Sequence, residues 1–195
     1  MNHRRAAATL VAAVVLMLAG CGARPAQAQQ HRPLPTSTPA ATPTPFPRLV
    51  PATLNIPAIG VNATVEQVAV DSQGDMGVPQ KWQDVGWYSP GVAPGQSGDA
   101  VIDGHLDWWG VPQAVFYRLS QLKAGDEIDV VTQGGLTLRF QVTSLASVPN
   151  SDRPVGLFAT SGPARLSLIT CTGAWDQGTS EYTQRLIVDA TYIGT

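Results

Sequence analysis

Residues 127–147 read EIDVVTQGGLTLRFQVTSLAS, and this stretch carries the strongest indication of the fold class. Apolar and polar residues alternate on both sides of Gln133-Gly134-Gly135, and a period of two places the apolar side chains on one face of a strand. A short run with two glycines between two such segments is typical of a hairpin turn. The stretch therefore predicts paired strands at Glu127–Thr132 and Leu136–Ser147.

Between residues 52 and 195 the same kind of pattern recurs. Short apolar or alternating runs are separated by Gly, Pro, Asn and Asp, which is typical of an all-β barrel or sandwich. A helix is predicted at Gln113–Leu122, where three apolar residues share one face, and a single helical turn near Pro154–Thr160. Six more strands are predicted, at Ala52–Ile56, Thr64–Ala69, Val85–Tyr88, Asp99–Asp103, Arg165–Cys171 and Leu186–Ile193.

The first 20 residues have the composition of an export signal. A short basic start at residues 3–5 precedes Ala6–Gly20, an apolar run interrupted only by Thr9. A helix of that length spans about 22 Å, which is shorter than the hydrocarbon core of about 30 Å. The pattern therefore favours a cleaved signal peptide at residues 1–20 over a permanent membrane span.

The apolar run stops directly at Leu18-Ala19-Gly20-Cys21, which matches the bacterial lipobox. This match predicts that Cys21 is lipidated and anchors the mature chain to the extracytoplasmic face of the cell membrane. Ala26-Gln27-Ala28 offers an alternative, since it is an ordinary small-residue cleavage site that would release a secreted protein without lipid. Both alternatives place the mature protein outside the cytoplasm.

Residues 21–51 are predicted to form a linker or stalk. Pro25–Pro51 holds eight of the 16 prolines, interleaved with Thr, Ser, Ala and Gln. Such a segment has too few apolar residues to form a core and favours extended polyproline II, either as a stalk that holds a domain away from the membrane or as an inert spacer. Residues 52–195 remain as one folded domain with seven basic and 14 acidic residues, a charge that argues against nucleic-acid binding.

The folded domain contains one cysteine, Cys171, and one histidine, His105. A single pair cannot supply the four ligands of a Cys/His zinc site, but it can supply a nucleophile and its proton-transfer partner. Each residue follows an apolar strand and lies beside a glycine, where a scaffold can present side chains to a cleft. The alternatives are a small buried core cysteine and a histidine satisfied within a turn.

The segment Ser167-Leu168-Ile169-Thr170-Cys171 resembles the sortase signature Thr-Leu-X-Thr-Cys and departs from it only at the first position. Sortases also carry a histidine at the end of an earlier strand, matched by Gly104-His105, and an arginine on the strand after the cysteine, matched by Arg185. The resemblance covers about all of 52–195 and is nearest to class F sortases. It extends to four further segments: Leu54–Val61, Val85–Tyr88, Val115–Leu119 and Ala124–Ile128.

This resemblance implies a closed β-barrel of about eight strands with one or two short helices. It also implies a cysteine transpeptidase that cleaves an LPXTG-like sorting signal on surface proteins through a thioester on Cys171, and transfers it to an amine of cell-wall precursor or pilin. His105 would exchange protons and Arg185 would stabilise the oxyanion. Thr170 would shape the substrate groove. No cofactor is implied, and no calcium ligands can be matched.

Two roles are open for each of several other residues near the predicted site. The segment 172–184, rich in small residues, is either a lid or an ordinary connection. Trp108 and Trp109 either wall the pocket or cap the barrel. Asp103 and Asp107 either orient His105 or are exposed carboxylates at a strand end.

Two other functions are compatible with parts of this pattern. An L,D-transpeptidase is also a Cys/His wall enzyme, but its Ser-His-Gly-Cys type motif is absent from the sequence. A non-catalytic wall-associated lipoprotein on a sortase-like barrel would be indicated by loss of the Cys, His or Arg, and all three are present.

Overall fold

The computed structural model describes residues 49–195. The predicted signal peptide, Cys21 and nearly all of the predicted stalk lie outside the described residues. The strands are β1 (Pro51–Ile56), β2 (Val61–Val68), β3 (Val85–Tyr88), β4 (Gly98–Gly104), β5 (Glu127–Thr132), β6 (Thr137–Pro149), β7 (Ala164–Asp176) and β8 (Glu181–Gly194). Two 3-10 helices are described, Pro57–Ile59 and Leu119–Gln121, and within the described residues no helix is long and apolar enough to cross a membrane.

The eight strands close into a barrel in the order β1-β2-β3-β4-β7-β8-β6-β5, with β5 pairing back to β1. Closure gives every strand a paired neighbour on both sides of the barrel. The pairs β2–β3 and β4–β7 are parallel, and the other pairs are antiparallel. The predicted all-β class and closed eight-stranded barrel are confirmed.

The apolar faces of the strands fill the barrel. The predicted hairpin of β5 and β6 is present, and its turn is closed by a 2.9 Å hydrogen bond from the Gly135 N–H to the Thr132 carbonyl. Gly135 has φ 79°, which favours glycine at this turn. The largest fully buried side chains include those of Trp87, Phe116 and Phe140, and burying a large apolar side chain typically contributes about 1.5–3 kcal/mol.

The parallel pair β4–β7 is tied at its beginning by a buried polar group. Asp99 of β4 is 1% exposed and accepts hydrogen bonds from Ser167 Oγ at 3.0 Å and from Arg165 Nη2 at 3.2 Å. Burial raises the pKa of Asp99, and the hydrogen bond from Ser167 and the Arg165 charge oppose this shift. Ser167 is the position at which the sequence departs from the sortase signature, and its hydroxyl oxygen also lies 3.1 Å from Asp189 Oδ1 on β8.

The strands β7 and β8 are longer than predicted. β7 continues from Cys171 to Asp176, and β8 begins at Glu181, so that most of segment 172–184 is a β-hairpin rather than a loop. The extension is exposed, and it therefore lacks the apolar alternation by which the other strands were predicted. Main-chain pairing between the two strands, with a bulge between Thr172 and Trp175, forms it instead.

The predicted helix at Gln113–Leu122 is wrong except for the 3-10 turn at Leu119–Gln121. The backbone hydrogen bonds within this segment join residues three apart, as from the Tyr117 N–H to the Ala114 carbonyl and from the Leu119 N–H to the Phe116 carbonyl, and these close separate turns rather than an α-helix. Leu119 and Leu122 are buried as expected, which explains the helical spacing without a helix. The predicted turn of helix at Pro154–Thr160 consists of non-helical turns.

We expect Gly104→Ala to destabilise the barrel. A methyl group at this position of β4 would lie 2.5 Å from Cδ2 of the fully buried Phe116 ring. Overpacking of this kind costs about 1–3 kcal/mol, which should appear as a lower free energy of unfolding in chemical denaturation. Gly134→Ala is the matched control, because its nearest atom would be 3.9 Å away, and it should change the free energy of unfolding by less than about 0.5 kcal/mol. Equal stabilities of the two variants would contradict this packing argument.

Candidate active site

A cleft of about 640 Å³ lies at the edge of the barrel where β4 ends. His105, Thr170, Cys171 and Arg185 all line it, so that the structure brings together the four site residues predicted within the domain. Cys21, the predicted lipid anchor, lies outside the described residues. The catalytic and substrate-binding roles of the four residues stay predictions at this point.

Cys171 lies on β7 directly opposite Arg185 on β8. Residues opposite each other in an antiparallel pair share a face, with Cβ atoms about 4.5–5.5 Å apart, and the thiol and the guanidinium therefore face the same cleft. Burial raises the pKa of Cys171. The Arg185 charge lowers this pKa, whereas three carboxylates raise it further: Asp107, Asp103 and Glu181.

Arg185 is half-buried. One nitrogen of its guanidinium, Nη1, is held by hydrogen bonds to the main chain. Nη1 donates to the carbonyl of Tyr182 at 3.1 Å and to that of Gln184 at 3.2 Å. Within residues 49–195 these are its only hydrogen bonds, which leaves Nη2 and Nε as donors for a ligand in the cleft. A guanidinium keeps its charge throughout the physiological range, so that this group can act as an electrostatic stabiliser of an anion next to Cys171.

His105 follows β4 and is held from two sides. Its Nε2 lies 2.9 Å from the carbonyl oxygen of Pro79, and a carbonyl only accepts hydrogen bonds, so Nε2 carries the proton. The Trp108 ring packs edge-on against the imidazole with 4.6 Å between ring centroids. In the described part of the chain no hydrogen bond joins His105 to Cys171, Asp103 or Asp107.

The structure places each of these neighbouring residues. Trp108 packs against the His105 imidazole but is not among the residues that line the cleft, and Trp109 is 97% exposed. The expectation that Asp103 is an exposed carboxylate is wrong, because its Oδ1 is buried and has no hydrogen-bond partner within residues 49–195. Asp107 accepts a hydrogen bond from Tyr182 rather than from His105.

Thr170 ties together the two strands that carry His105 and Cys171. It is 3% exposed, and its Oγ1 donates a 2.7 Å hydrogen bond to the carbonyl of Gly104. Gly104 precedes His105, and Thr170 precedes Cys171, so that one bond sets the spacing of the two residues across the β4–β7 pair. The hydroxyl of Thr170 is thus used within the barrel, and the remainder of its side chain contributes to the cleft wall.

Tyr182 is a residue next to the site whose contact the sequence analysis did not predict. Its hydroxyl donates to Asp107, a bond that joins the β7–β8 hairpin to the segment after His105. This bond is the main reason that the pKa of Tyr182 is raised to about 12. Trp175 packs edge-on against the Tyr182 ring at 5.3 Å, and two aromatic residues in a segment otherwise rich in small residues were the signal that could have indicated this contact.

Carboxylates outnumber arginines along the rest of the cleft. The acidic residues are Asp71, Asp75, Asp103, Asp152 and Glu181, and Arg153 joins Arg185 as the basic residues. Arg153 forms an exposed ion pair with Asp75 at 3.1 Å, which is worth little in solvent. Within the described residues, no group of three or more His, Cys, Asp or Glu side chains is arranged to hold a metal ion.

The family model described as Sortase domain matches residues 54–193. The chain belongs to the sortase family. The matched range begins in β1 and ends in β8, and it contains every residue that lines the cleft. Within this sortase domain, the histidine after β4, the cysteine on β7 and the arginine on β8 occupy the positions that the sequence resemblance implied.

Solved structures of sortases share this fold. The lid mutant of sortase A from Corynebacterium diphtheriae has a TM-score of 0.59 at 24% identity, covering 78% of this chain and 75% of that chain. Sortase C-1 from Actinomyces oris has a TM-score of 0.58 at 25% identity and covers 73% of each chain. Sortase C1 from Streptococcus agalactiae has a TM-score of 0.57 at 23% identity, covering 74% of this chain and 67% of that chain. No curated protein matches the chain, and membership of class F stays a prediction.

The charges around Cys171 in this sortase domain predict opposite shifts in thiol reactivity. Arg185→Ala removes a charge that lowers the Cys171 pKa, so the pH at which alkylation by iodoacetamide reaches half its maximal rate should rise. Asp107→Asn removes a charge that raises the same pKa, so this pH should fall. Mass spectrometry of the Cys171 peptide separates its alkylation from that of Cys21. Shifts of the same sign in both variants would contradict the electrostatic account.

Proposed function

We propose that this protein is an exported cysteine transpeptidase that cleaves an LPXTG-like sorting signal and transfers it to an amine acceptor. The observation that carries the proposal is the convergence of Cys171, His105 and Arg185 on one cleft of a sortase domain. The three residues belong to separate elements, and the barrel topology is what brings them together.

In the first half of the reaction, the Cys171 thiolate attacks the carbonyl carbon of the scissile peptide bond. A C–S bond forms, the carbonyl π electrons move to oxygen, and the oxyanion lies within reach of Arg185 because the two side chains share a face of the β7–β8 pair. The C–N bond then breaks, and His105 donates a proton to the departing amine. The product is a thioester on Cys171 and a free amine.

In the second half, an acceptor amine attacks the thioester and the C–S bond breaks. His105 accepts the proton that the amine loses, and the thiolate returns to Cys171. The excess of carboxylates along the cleft supports an acceptor that is cationic before it reacts, since a cleft of one predominant sign attracts the opposite charge. An amine of cell-wall precursor or pilin has this chemistry.

The thiolate is the minor form of this cysteine at neutral pH, because burial raises the pKa of the thiol. Arg185 is the nearby group that opposes this effect. Arg185 therefore serves both stages of the proposed chemistry: it favours the thiolate before attack and stabilises the oxyanion afterwards. Its removal should affect both stages.

We further infer that the enzyme acts at the extracytoplasmic face of the cell membrane on surface proteins that bear sorting signals. The support is the basic and apolar pattern of residues 1–20 followed by the lipobox at Cys21. The Pro-rich segment that follows would then hold the barrel away from the anchor.

We expect the full-length protein to cleave a peptide that contains an LPXTG-like signal, and Cys171→Ala to abolish cleavage. Loss of the nucleophile should reduce turnover by at least about 10³-fold, with no thioester adduct detectable by mass spectrometry. Circular dichroism should show that the variant is folded, since alanine is readily accommodated at this half-buried position. Cleavage by the folded variant at the wild-type rate would contradict the proposal.

Arg185 provides the graded control for this experiment. Arg185→Ala should lower turnover by about 10²–10³-fold, and Arg185→Lys should restore part of it, because lysine keeps the charge but loses the planar fork. Wild-type turnover by folded Arg185→Ala would indicate that backbone donors near Cys171, rather than Arg185, stabilise the oxyanion. A wild-type protein that binds sorting peptides without cleaving them would favour the non-catalytic alternative.

The proposed anchor predicts a specific mature N-terminus. Because the apolar run ends at the lipobox, mass spectrometry of the protein isolated from membranes should find a diacylglyceryl group on Cys21, and Cys21→Ser should move the protein to the medium or leave its signal uncleaved. An unmodified N-terminus at Gln29 would indicate simple secretion after cleavage at Ala26-Gln27-Ala28.

A further inference from the structure

The peptide group between Pro79 and Gln80 connects His105 to a glutamate on another strand. The Pro79 carbonyl oxygen lies 2.9 Å from His105 Nε2, and the Gln80 N–H donates a 2.9 Å hydrogen bond to Glu66 Oε2. The C=O and N–H of a trans peptide bond point in opposite directions from one rigid plane. Glu66, the peptide group and the imidazole therefore form one hydrogen-bonded series.

We propose that Glu66 is a positioning residue for His105, acting through the Pro79–Gln80 peptide group so that Nε2 is held as the donor and Nδ1 is left to exchange protons in the reaction. The kinetic part of this inference rests on the proposed function. The positioning part concerns the imidazole itself and stands without it.

The direction of the hydrogen bonds supports this assignment. The carbonyl of Pro79 accepts only, so the neutral imidazole is the tautomer with its proton on Nε2, and Nδ1 carries the lone pair. A carboxylate at the N–H end of the peptide polarises the group and strengthens its carbonyl as an acceptor.

The placement of Glu66 follows from strand register. Glu66 on β2 is opposite Gly86 on β3, and Gly86 is opposite Asp103 on β4, so that these three residues share one face of the sheet. Gly86 has no side chain in the middle of this row. A Cβ there would lie 2.5 Å from Asp103 Oδ1 and 3.2 Å from Pro79 Cδ, and the space above Gly86 is therefore occupied by Pro79 and the Asp103 carboxyl.

Asp103 lies at the opposite end of this row from Glu66. Burial raises the pKa of Asp103 well above its usual range, and the charge of Glu66 raises it further. Asp103 Oδ1 and Glu66 Oε1 are both buried and, in the described part of the chain, both without a hydrogen-bond partner. Of these two carboxyl groups, Glu66 is the one that is hydrogen-bonded to the peptide group.

The loop that contains the peptide group is held on both sides. Gly77 donates a 2.7 Å backbone hydrogen bond to Ala69, and Lys81 forms an ion pair with Asp84 at 3.1 Å rather than with Glu66. The other charged groups that surround the His105 cleft are Asp71, Asp75, Asp103, Asp107, Asp152, Arg153, Glu181 and Arg185. None of them makes a hydrogen bond to the imidazole within residues 49–195, so Glu66 is the charged residue to which the ring is linked.

The tautomer of His105 gives a direct test that does not depend on turnover. Nitrogen-15 shifts of the ring, measured on the full-length protein at alkaline pH with labelled histidine, should show the Nε2–H form in the wild type and a mixture of both forms in Glu66→Ala. Glu66→Gln keeps the size and an oxygen acceptor for the Gln80 N–H, so it should retain the Nε2–H form. Glu127→Ala, at an exposed glutamate of β5, is the matched control.

Turnover of the sorting-signal peptide gives the second readout. Glu66→Ala should lower kcat by about 10-fold with little change in KM, by analogy with the hydrogen-bond partners that orient metal-binding histidines. Glu66→Gln should lower kcat by a smaller factor. The remaining difference from the wild-type kcat measures the contribution of the Glu66 charge. Circular dichroism checks that the variants are folded, and the isosteric Glu66→Gln variant provides a kinetic test if Glu66→Ala is destabilised.

The outcomes are distinguishable. An unchanged Nε2–H tautomer in Glu66→Ala, or wild-type kcat in both Glu66 variants of an active enzyme, would overturn the inference. A changed tautomer in a protein whose wild type cleaves no sorting peptide would uphold the positioning of His105 while the proposed function fails. Loss of kcat in Glu127→Ala equal to that in Glu66→Ala would show a nonspecific effect and would also overturn the assignment.

Discussion

The parallel pairing of β4 with β7 is the contact on which the site depends. Its register runs from Gly98 opposite Ala164 to Asp103 opposite Ile169, and the hydrogen bond from Thr170 to Gly104 extends it by one step. The two strands therefore end their buried portions side by side, with His105 and Cys171 as the next residues. A register slip of one residue would turn one of the two side chains to the opposite face.

The closed barrel makes this arrangement rigid. β8 pairs with β7 along nearly its whole length and with β6 on its other side, so that Arg185 has a fixed place opposite Cys171. The buried group of Asp99, Ser167 and Arg165 holds the other end of β4 and β7. A buried charge is costly unless it is paired and hydrogen-bonded, and this satisfied network therefore favours one register over its alternatives.

The electrostatic environment of the cleft opposes the ionisation of Cys171 on balance. Burial and three carboxylates raise the pKa of the thiol, and Arg185 alone among the contributing groups lowers it. A largely protonated thiol is less susceptible to oxidation, but a smaller fraction of it is in the nucleophilic thiolate form.

The sequence by itself determined the all-β class, the β5–β6 hairpin, most strands and the identity of the matching arginine and of the one cysteine and one histidine within residues 52–195. These are properties of local alternation, turn residues and composition, which act over a few residues. The helix predicted at Gln113–Leu122 failed because the segment forms separate turns whose backbone hydrogen bonds join residues three apart, and the β7–β8 extension was missed because exposed pairing leaves no apolar pattern. The contacts of the site belong to the tertiary structure alone: Pro79 and Glu66 reach His105, and Tyr182 reaches Asp107, only because barrel closure and register bring together residues far apart in the chain.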